Sequence, residues 1–286
     1  MEIRRVGVVG CGVMGAGIAE VCARGGYEVT VVEVTDDLLA RGLRRVEESM
    51  RRAVERGKIT ADEMAAARER IRGTTRLEDL AGADLVIEAV VERMDAKKEV
   101  FARLDTVCPP YTLFASNTSS LSITELASAT ARADRVLGLH FFNPVPVMKL
   151  VELIRGLQTS PQTAAIGRRF AESLGKTVVE CRDSPGFIVN FLLVPYLLDA
   201  VRALERGIAS RDDIDTAVVL GLAHPMGPLR LLDHVGLDTT YHIAEAMFAE
   251  FKDPRYAAPP LLKQMVAAGR LGRKSGKGFY DYEGGG

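Results

Sequence analysis

The chain has 286 residues, 47% of them hydrophobic and 26% charged, with 37 Lys and Arg against 38 Asp and Glu and a formal net charge of −1. That length favours two domains and allows a substantial core. The balanced charge excludes a polyionic tail and gives no global basis for binding nucleic acid or a charged membrane, although a local patch can still serve an anionic ligand.

The amino terminus runs within a few residues into Val6-Gly7-Val8-Val9. This is a buried-strand pattern that leaves no room for a signal peptide. A glycine-rich turn follows, then a helix from about Met14 to Arg24, a Gly25-Gly26 stop and a strand from Val29 to Val32. Such a strand-helix-strand unit has parallel strands and a right-handed crossover. Charged helical segments span Asp36 to Arg56 and Thr60 to Arg70, the second opened by a capping box of Thr60 and Glu63. Further strands are expected at Ile71 to Thr74, Leu85 to Ala89, Leu113 to Ser116 and Val136 to Phe141, with helices at Asp95 to Val107 and Ile123 to Ala129. Uninterrupted apolar runs such as Leu85-Val86-Ile87 suit a sheet covered on both faces. Two more strands, Lys149 to Arg155 and Thr177 to Cys181, bracket a helix from Pro161 to Leu174 and extend the sheet at one edge, with antiparallel pairing an option.

The character changes at Asp183-Ser184-Pro185-Gly186, read as a hinge or domain boundary because Pro185 restricts its predecessor and Gly186 tolerates unusual dihedrals. Beyond it the period is helical: Phe187 to Arg206, Ser210 to Leu220, Gly227 to Val235, Leu237 to Phe251 and Pro259 to Ala268. The most apolar stretch, Phe187 to Ala200, suits a buried helix better than a membrane span. The expectation is an α/β chain: a Rossmann-type, doubly wound, mostly parallel sheet over 1–184, and an all-helical domain over 185–286 ending in a frayed glycine terminus. Cys11, Cys22, Cys108 and Cys181 show no CxxC pair and no metal-ligand spacing. They read as free thiols of a reducing, cytoplasmic compartment, with no metal site expected.

Gly10-Cys11-Gly12-Val13-Met14-Gly15 matches G-x-G-x-x-G between a strand and a helix. In that context Gly10 permits the tight turn, Gly12 lets a pyrophosphate approach the backbone and Gly15 lets the helix pack close to the strand. The free amides at the helix start meet the phosphates. Glu33 closes the second strand 23 residues after Gly10, where a carboxylate binds adenosine ribose hydroxyls and repels a 2′-phosphate. NAD is therefore favoured over NADP. The competing readings are a flavin site or a purely structural glycine turn.

Of four histidines, His140 ends the strand Val136 to Leu139, and open parallel sheets bind ligands beyond the carboxyl ends of their strands. An imidazole there can take the proton of a secondary alcohol. Glu152, inside the apolar run Leu150 to Ile154, needs a partner if buried, and the turn Asn143-Pro144-Val145-Pro146 can fold it back toward His140. Alternatively His140 is a satisfied core residue and Glu152 faces solvent. His224, His234 and His242 lack ligand spacing and read as structural or exposed. The cluster Ser116-Asn117-Thr118-Ser119-Ser120 either bonds nicotinamide ribose and substrate oxygen or caps the helix near Ile123. Asn190, polar within Phe187 to Phe191, either reaches a reacting oxygen or satisfies a local carbonyl.

Taken together, Gly10 to Ala19, Phe114 to Leu121, Gly138 to Met148, Asp183 to Asn190, Pro225 to Pro228, Gly236 to Asp238 and Gly276 to Tyr280 make the chain resemble the L-3-hydroxyacyl-CoA dehydrogenase family over nearly its whole length, especially its bacterial 3-hydroxybutyryl-CoA members. The resemblance implies NAD-dependent, reversible interconversion of (3S)-3-hydroxyacyl-CoA and 3-oxoacyl-CoA, in fatty-acid or butanoate metabolism among other settings. It makes His140 the general base and acid, Glu152 its orienting partner, and Ser119 and Asn190 residues around the substrate's 3-oxygen. Glu92, Lys97, Ser119, Asn143 and Lys274 match positions around NAD, joining Gly10, Gly12, Val13, Met14, Gly15 and Glu33. Ser49 and Arg56 match positions that meet CoA, Arg56 standing where relatives carry Lys. A homodimer formed largely through the helical domain is also implied. Two departures stand out: Glu33 where many relatives have Asp, and Arg230 where relatives often have Glu. The rival functions are a dehydrogenase of a free 3-hydroxy acid and an NAD-binding sensor without turnover.

Overall fold

The computed structural model describes residues 2–282; the glycines expected to fray at the carboxyl end, 284–286, lie outside the described residues. The chain divides into two compact units, Met1–Ser184 and Pro185–Gly286.

The first unit is one sheet with helices on both faces. Strands β1 (Arg5–Val9), β2 (Glu28–Val32), β3 (Ile71–Thr74), β4 (Leu85–Glu88), β5 (Leu113–Ser116) and β6 (Val136–Phe141) are parallel and lie in the order β3-β2-β1-β4-β5-β6. Two further strands complete the edge: β7 (Leu150–Arg155) pairs antiparallel with β6, and β8 (Thr177–Arg182) pairs parallel with β7. The central strands β4, β5 and β6 are buried at every position, which is why they read as unbroken apolar runs rather than alternating ones.

The connections are α1 (Val13–Arg24), α2 (Asp36–Glu55), α3 (Ala61–Glu69), α4 (Met94–Val107), α5 (Ile123–Ala127) and α6 (Pro161–Ser173). Four of them, α2, α3, α5 and α6, start at a side chain that accepts from an orphan amide. Thr35 caps α2, and Thr60 and Glu63 form the reciprocal box on α3. Ser160 caps α6, with Pro161 at its first position. Helix α1 has no side-chain cap at Gly12, so its leading amides remain for a ligand. Strand order reverses between β1 and β4, and this switch point opens the crevice at the carboxyl ends of the strands.

The second unit packs α7 (Val189–Glu205), α8 (Arg211–Gly221), α9 (Pro228–Val235), α10 (Leu237–Phe251) and α11 (Pro260–Ala267) around a core that includes Leu197, Leu198, Leu232, Met247 and Tyr256. Helix α7 starts two residues later than its apolar pattern suggests. Gly186 and Phe187 both adopt positive φ, 80° and 52°, and a left-handed pair cannot belong to a right-handed helix. The carboxyl-terminal segment is clipped by Asp233, which is 1% exposed and accepts from the amides of Phe279 and Tyr280 and the hydroxyl of Tyr282. Arg230 lies over the Tyr280 ring at 3.9 Å, so the arginine that departs from the family pattern stacks within this unit.

Candidate active site

The glycine turn has a separate steric reason at each position. Gly10 has φ 93°, and a Cβ there would stand 2.6 Å from the Ala89 carbonyl oxygen on the neighbouring strand's exit. A Cβ on Gly15 would collide with the carbonyl of Gly10. Gly12 is different: nothing of the protein lies within 4 Å of the Cβ it lacks. Its missing side chain leaves room for something the chain itself does not supply, directly at the uncapped start of α1. Glu33 is tied into the same turn, accepting from the Cys11 amide at 2.7 Å and from the Val34 amide at 3.0 Å. The cradle therefore fits a dinucleotide: open amides for phosphates, and a carboxylate on the β2 side for a ribose.

On the other side of the switch point, the antiparallel register sets His140 directly opposite Glu152. Their side chains meet through Nδ1 and Oε2 at 2.6 Å, with His140 7% exposed and Glu152 fully buried. The Glu152 carboxylate accepts from Nδ1. The His140 ring also packs on Phe142, centroids 4.5 Å apart.

A second charge cluster, built on the buried Glu88 and Lys97, occupies the ends of β4 and β5. Lys97 on α4, 1% exposed, places its ammonium 2.7 Å from Glu88 and 3.1 Å from Glu92. Glu92 accepts from the Thr118 hydroxyl at 2.5 Å and the Ser119 amide at 2.9 Å, with longer contacts to the Ser119 and Ser120 hydroxyls. Burial alone would raise the Glu92 carboxyl, but the Lys97 ammonium and the donations from Thr118, Ser119 and Lys97 outweigh it and hold the group below its ordinary 4.5. The serine-rich segment is thus organised around this carboxylate and not around the helix it precedes. The cap of α5 is Ser122, outside that segment, and Asp183 reinforces it by accepting from the Ser122 hydroxyl and the Ile123 and Thr124 amides. Asn117 serves structure, its Oδ1 accepting from the Phe141 amide and so pinning β6 beside His140.

The remaining candidates are placed within their own units. Ser49, half-buried, and Arg56, exposed at the end of α2, belong to the β2–β3 connection; seven residues apart, they share a helix face. Asn143 is exposed in the β6–β7 connection. In the second unit Asn190 is buried in the first turn of α7, and Lys274 bonds Asp238 at 2.7 Å. His224, His234 and His242 are all exposed. Glu88 was not singled out by sequence. Its only signal is a carboxylate closing the apolar run Leu85-Val86-Ile87, with a lysine nine residues on.

A doubly wound sheet with a side-chain-free phosphate cradle at its switch point, and a histidine-carboxylate pair across β6 and β7, is the architecture of a dinucleotide-dependent oxidoreductase. Residues 5–184 match the 3-hydroxyacyl-CoA dehydrogenase NAD binding domain, and residues 186–282 the C-terminal domain of the same family. The chain belongs to the 3-hydroxyacyl-CoA dehydrogenase family and is an NAD-dependent enzyme acting on CoA thioesters. Among its relatives, 3-hydroxybutyryl-CoA dehydrogenase of Mycobacterium tuberculosis strain H37Rv is 57% identical over 282 residues, covering 98% of this chain and 99% of the relative. The human mitochondrial hydroxyacyl-coenzyme A dehydrogenase is 47% identical, covering 98% of this chain and 92% of its own length. The crystal structure of M. tuberculosis FadB2 superposes with a TM-score of 0.97 at 56% identity, over 99% of this chain and 100% of that one.

Proposed function

We propose that this enzyme is a 3-hydroxybutyryl-CoA dehydrogenase, interconverting (3S)-3-hydroxybutyryl-CoA and acetoacetyl-CoA, with His140 as the proton-transferring residue. The observation that carries the chemical assignment is the buried 2.6 Å pair of His140 and Glu152 at the carboxyl end of β6. The four-carbon acyl chain is supported by the 57% identity to 3-hydroxybutyryl-CoA dehydrogenase of Mycobacterium tuberculosis.

Bound NAD supplies the hydride acceptor, held by Gly10, Gly12, Val13, Met14, Gly15 and Glu33, with Glu92, Lys97, Ser119, Asn143 and Lys274 as further contacts. His140 Nε2 removes the hydroxyl proton during oxidation and returns it during reduction. Glu152 fixes the tautomer and offsets the positive charge the ring acquires. Ser119 and Asn190 serve the substrate oxygen, and Ser49 and Arg56 the CoA portion, where the guanidinium offers phosphate a planar fork. The carboxylate of Glu33 disfavours a 2′-phosphate and so selects NAD over NADP. Four exposed apolar side chains of the helical unit, Leu192, Ile208, Leu220 and Leu222, are 61–79% exposed. They support a homodimer formed through that unit. Four free thiols support a reducing, cytoplasmic compartment.

The test is NADH oxidation with acetoacetyl-CoA, free acetoacetate, longer 3-oxoacyl-CoAs and NADPH in parallel, with light scattering for the subunit count. Preferential turnover of acetoacetyl-CoA with NADH is expected. Turnover of free acetoacetate at the same kcat/KM would remove the thioester reading, and NADH binding without reduction of any of them would favour a sensor.

A further inference from the structure

We propose that Glu88 is the positioning residue for the nicotinamide half of the cofactor site: it touches no ligand itself but holds Lys97 and the Ser116–Ser119 segment in place. This rests on the reading that Glu92, Lys97 and Ser119 contact NAD.

The placement follows from strand order. With phosphates at the β1–α1 turn and Glu33 taking the ribose on the β2 side, the other half of a dinucleotide runs across the carboxyl ends of β4 and β5 toward β6, where His140 stands. Glu88 ends β4 at that point and is 0% exposed. Its Oε1 accepts from Lys97 Nζ and from the Val90 amide, both at 2.7 Å, and its Oε2 accepts from the Ser116 hydroxyl at 2.6 Å. Its main-chain carbonyl accepts from the Asn117 amide at 2.8 Å. One residue therefore ties together the turn after β4, the helix α4 and the end of β5.

The connections pass outward in two branches. Through Lys97 they reach Glu92, which gathers Thr118 and Ser119. Through Ser116, whose Oγ accepts from the Thr118 amide at 3.2 Å, they reach the same segment from beneath. A buried ammonium requires a carboxylate partner, and Glu92, with its side chain 40% exposed, leaves Glu88 as the fully enclosed one. Without Glu88 the Lys97 chain loses its fixed anchor, and Ser116 loses the acceptor that orients it.

Glu88→Gln keeps the shape and removes the charge. The readouts are NADH binding by fluorescence titration, ADP binding by calorimetry, and acetoacetyl-CoA reduction. NADH affinity should weaken roughly tenfold, in the range usual for a residue that supports direct ligands. ADP, which occupies only the glycine-turn half, should bind as in the wild type. kcat should fall while KM for acetoacetyl-CoA stays near its wild-type value. Ser116→Ala, a milder change that keeps Glu88 paired with Lys97, should weaken NADH roughly threefold and again spare ADP.

If both ligands bind either folded variant as they bind the wild type, or if both weaken equally, Glu88 is a structural ion-pair member only and the proposal falls. Should Glu88→Gln fail to fold, Ser116→Ala decides by the same comparison. A wild-type enzyme that binds NADH but leaves acetoacetyl-CoA unreduced would refute the substrate assignment and leave the binding comparison to judge Glu88. A wild type that binds no NADH would remove the cofactor reading and this assignment together.

Discussion

The two halves of the first unit's ligand-binding edge are built from different materials. At the β1–α1 turn the working parts are backbone amides and missing side chains, and their positions follow from three glycines in six consecutive residues. At the ends of β4, β5, β6 and β7 the working parts are charged side chains, most of them buried: His140 with Glu152, and Lys97 with the enclosed Glu88 and the partly exposed Glu92. A backbone cradle fails by obstruction. A buried charge network fails by losing a partner, because the remaining charge cannot return to water.

Removing the proposed proton-transferring group should give the largest effect. His140→Ala is expected to lower kcat by roughly 10²- to 10⁴-fold, the usual contribution of a general acid or base, with NADH affinity near wild type. Glu152→Gln, which keeps the hydrogen bond but not the charge, should cost roughly 10- to 100-fold. Steady-state kinetics paired with NADH titration separates the two parameters. A large loss of NADH affinity in His140→Ala would break the division between chemistry and cofactor cradle.

The cradle itself can be split by two alanines. Gly15→Ala places a methyl group against the Gly10 carbonyl and should destabilise the fold by about 1–3 kcal/mol, read as a lower Tm. Gly12→Ala meets no protein atom within 4 Å, so Tm should hold while NADH binding weakens by roughly tenfold or more. Unchanged NADH affinity in a stable Gly12→Ala enzyme would mean that the phosphates do not pass over Gly12.

A smaller effect is expected from acid. Because the folded protein holds the Glu92 carboxyl below 4.5, its contribution to stability is present above the unfolded value and is lost as pH falls through the folded one. Glu92→Gln should therefore melt below the wild type at pH 7, with the gap narrowing once the pH drops beneath about 4.5. Parallel Tm curves over that range would show that the carboxylate network adds nothing to acid sensitivity.

The smallest effect concerns the thiols. Burial, with the nearby Glu33 charge adding to it, pushes Cys11 up to about 11, and burial first of all takes Cys108 to about 11 and Cys181 to about 12. The thiol form is inert, so iodoacetamide at pH 8 should leave the native enzyme active and label it only after unfolding. Rapid inactivation would place an ionised cysteine in the cradle.

Secondary structure was largely legible because its signals are local. Short apolar runs such as Leu85-Val86-Ile87 and Leu113-Phe114-Ala115 mark the buried strands, and Thr60 with Glu63 marks the start of α3 in the chain itself. The glycine turn was legible for the same reason, all its parts being contiguous. The Ser116–Ser120 segment was ambiguous because hydroxyls before a helix have two uses, and the choice between them depended on a glutamate 26 residues earlier in the chain. Glu88 was passed over because a single charge at the end of an apolar strand has no sequence neighbour that reveals its partner.

What the sequence by itself determined was the set of elements, the phosphate cradle and the need for partners wherever a charge sits in an apolar run. Only the tertiary structure decided which partners those charges take. The antiparallel return of β7 sets Glu152 opposite His140, and the adjacency of β4, β5 and α4 sets Glu88, Ser116 and Lys97 around one point. The physical reason is that desolvation makes an unpaired buried charge prohibitive without specifying its counterpart; the counterpart is chosen by which strands lie side by side.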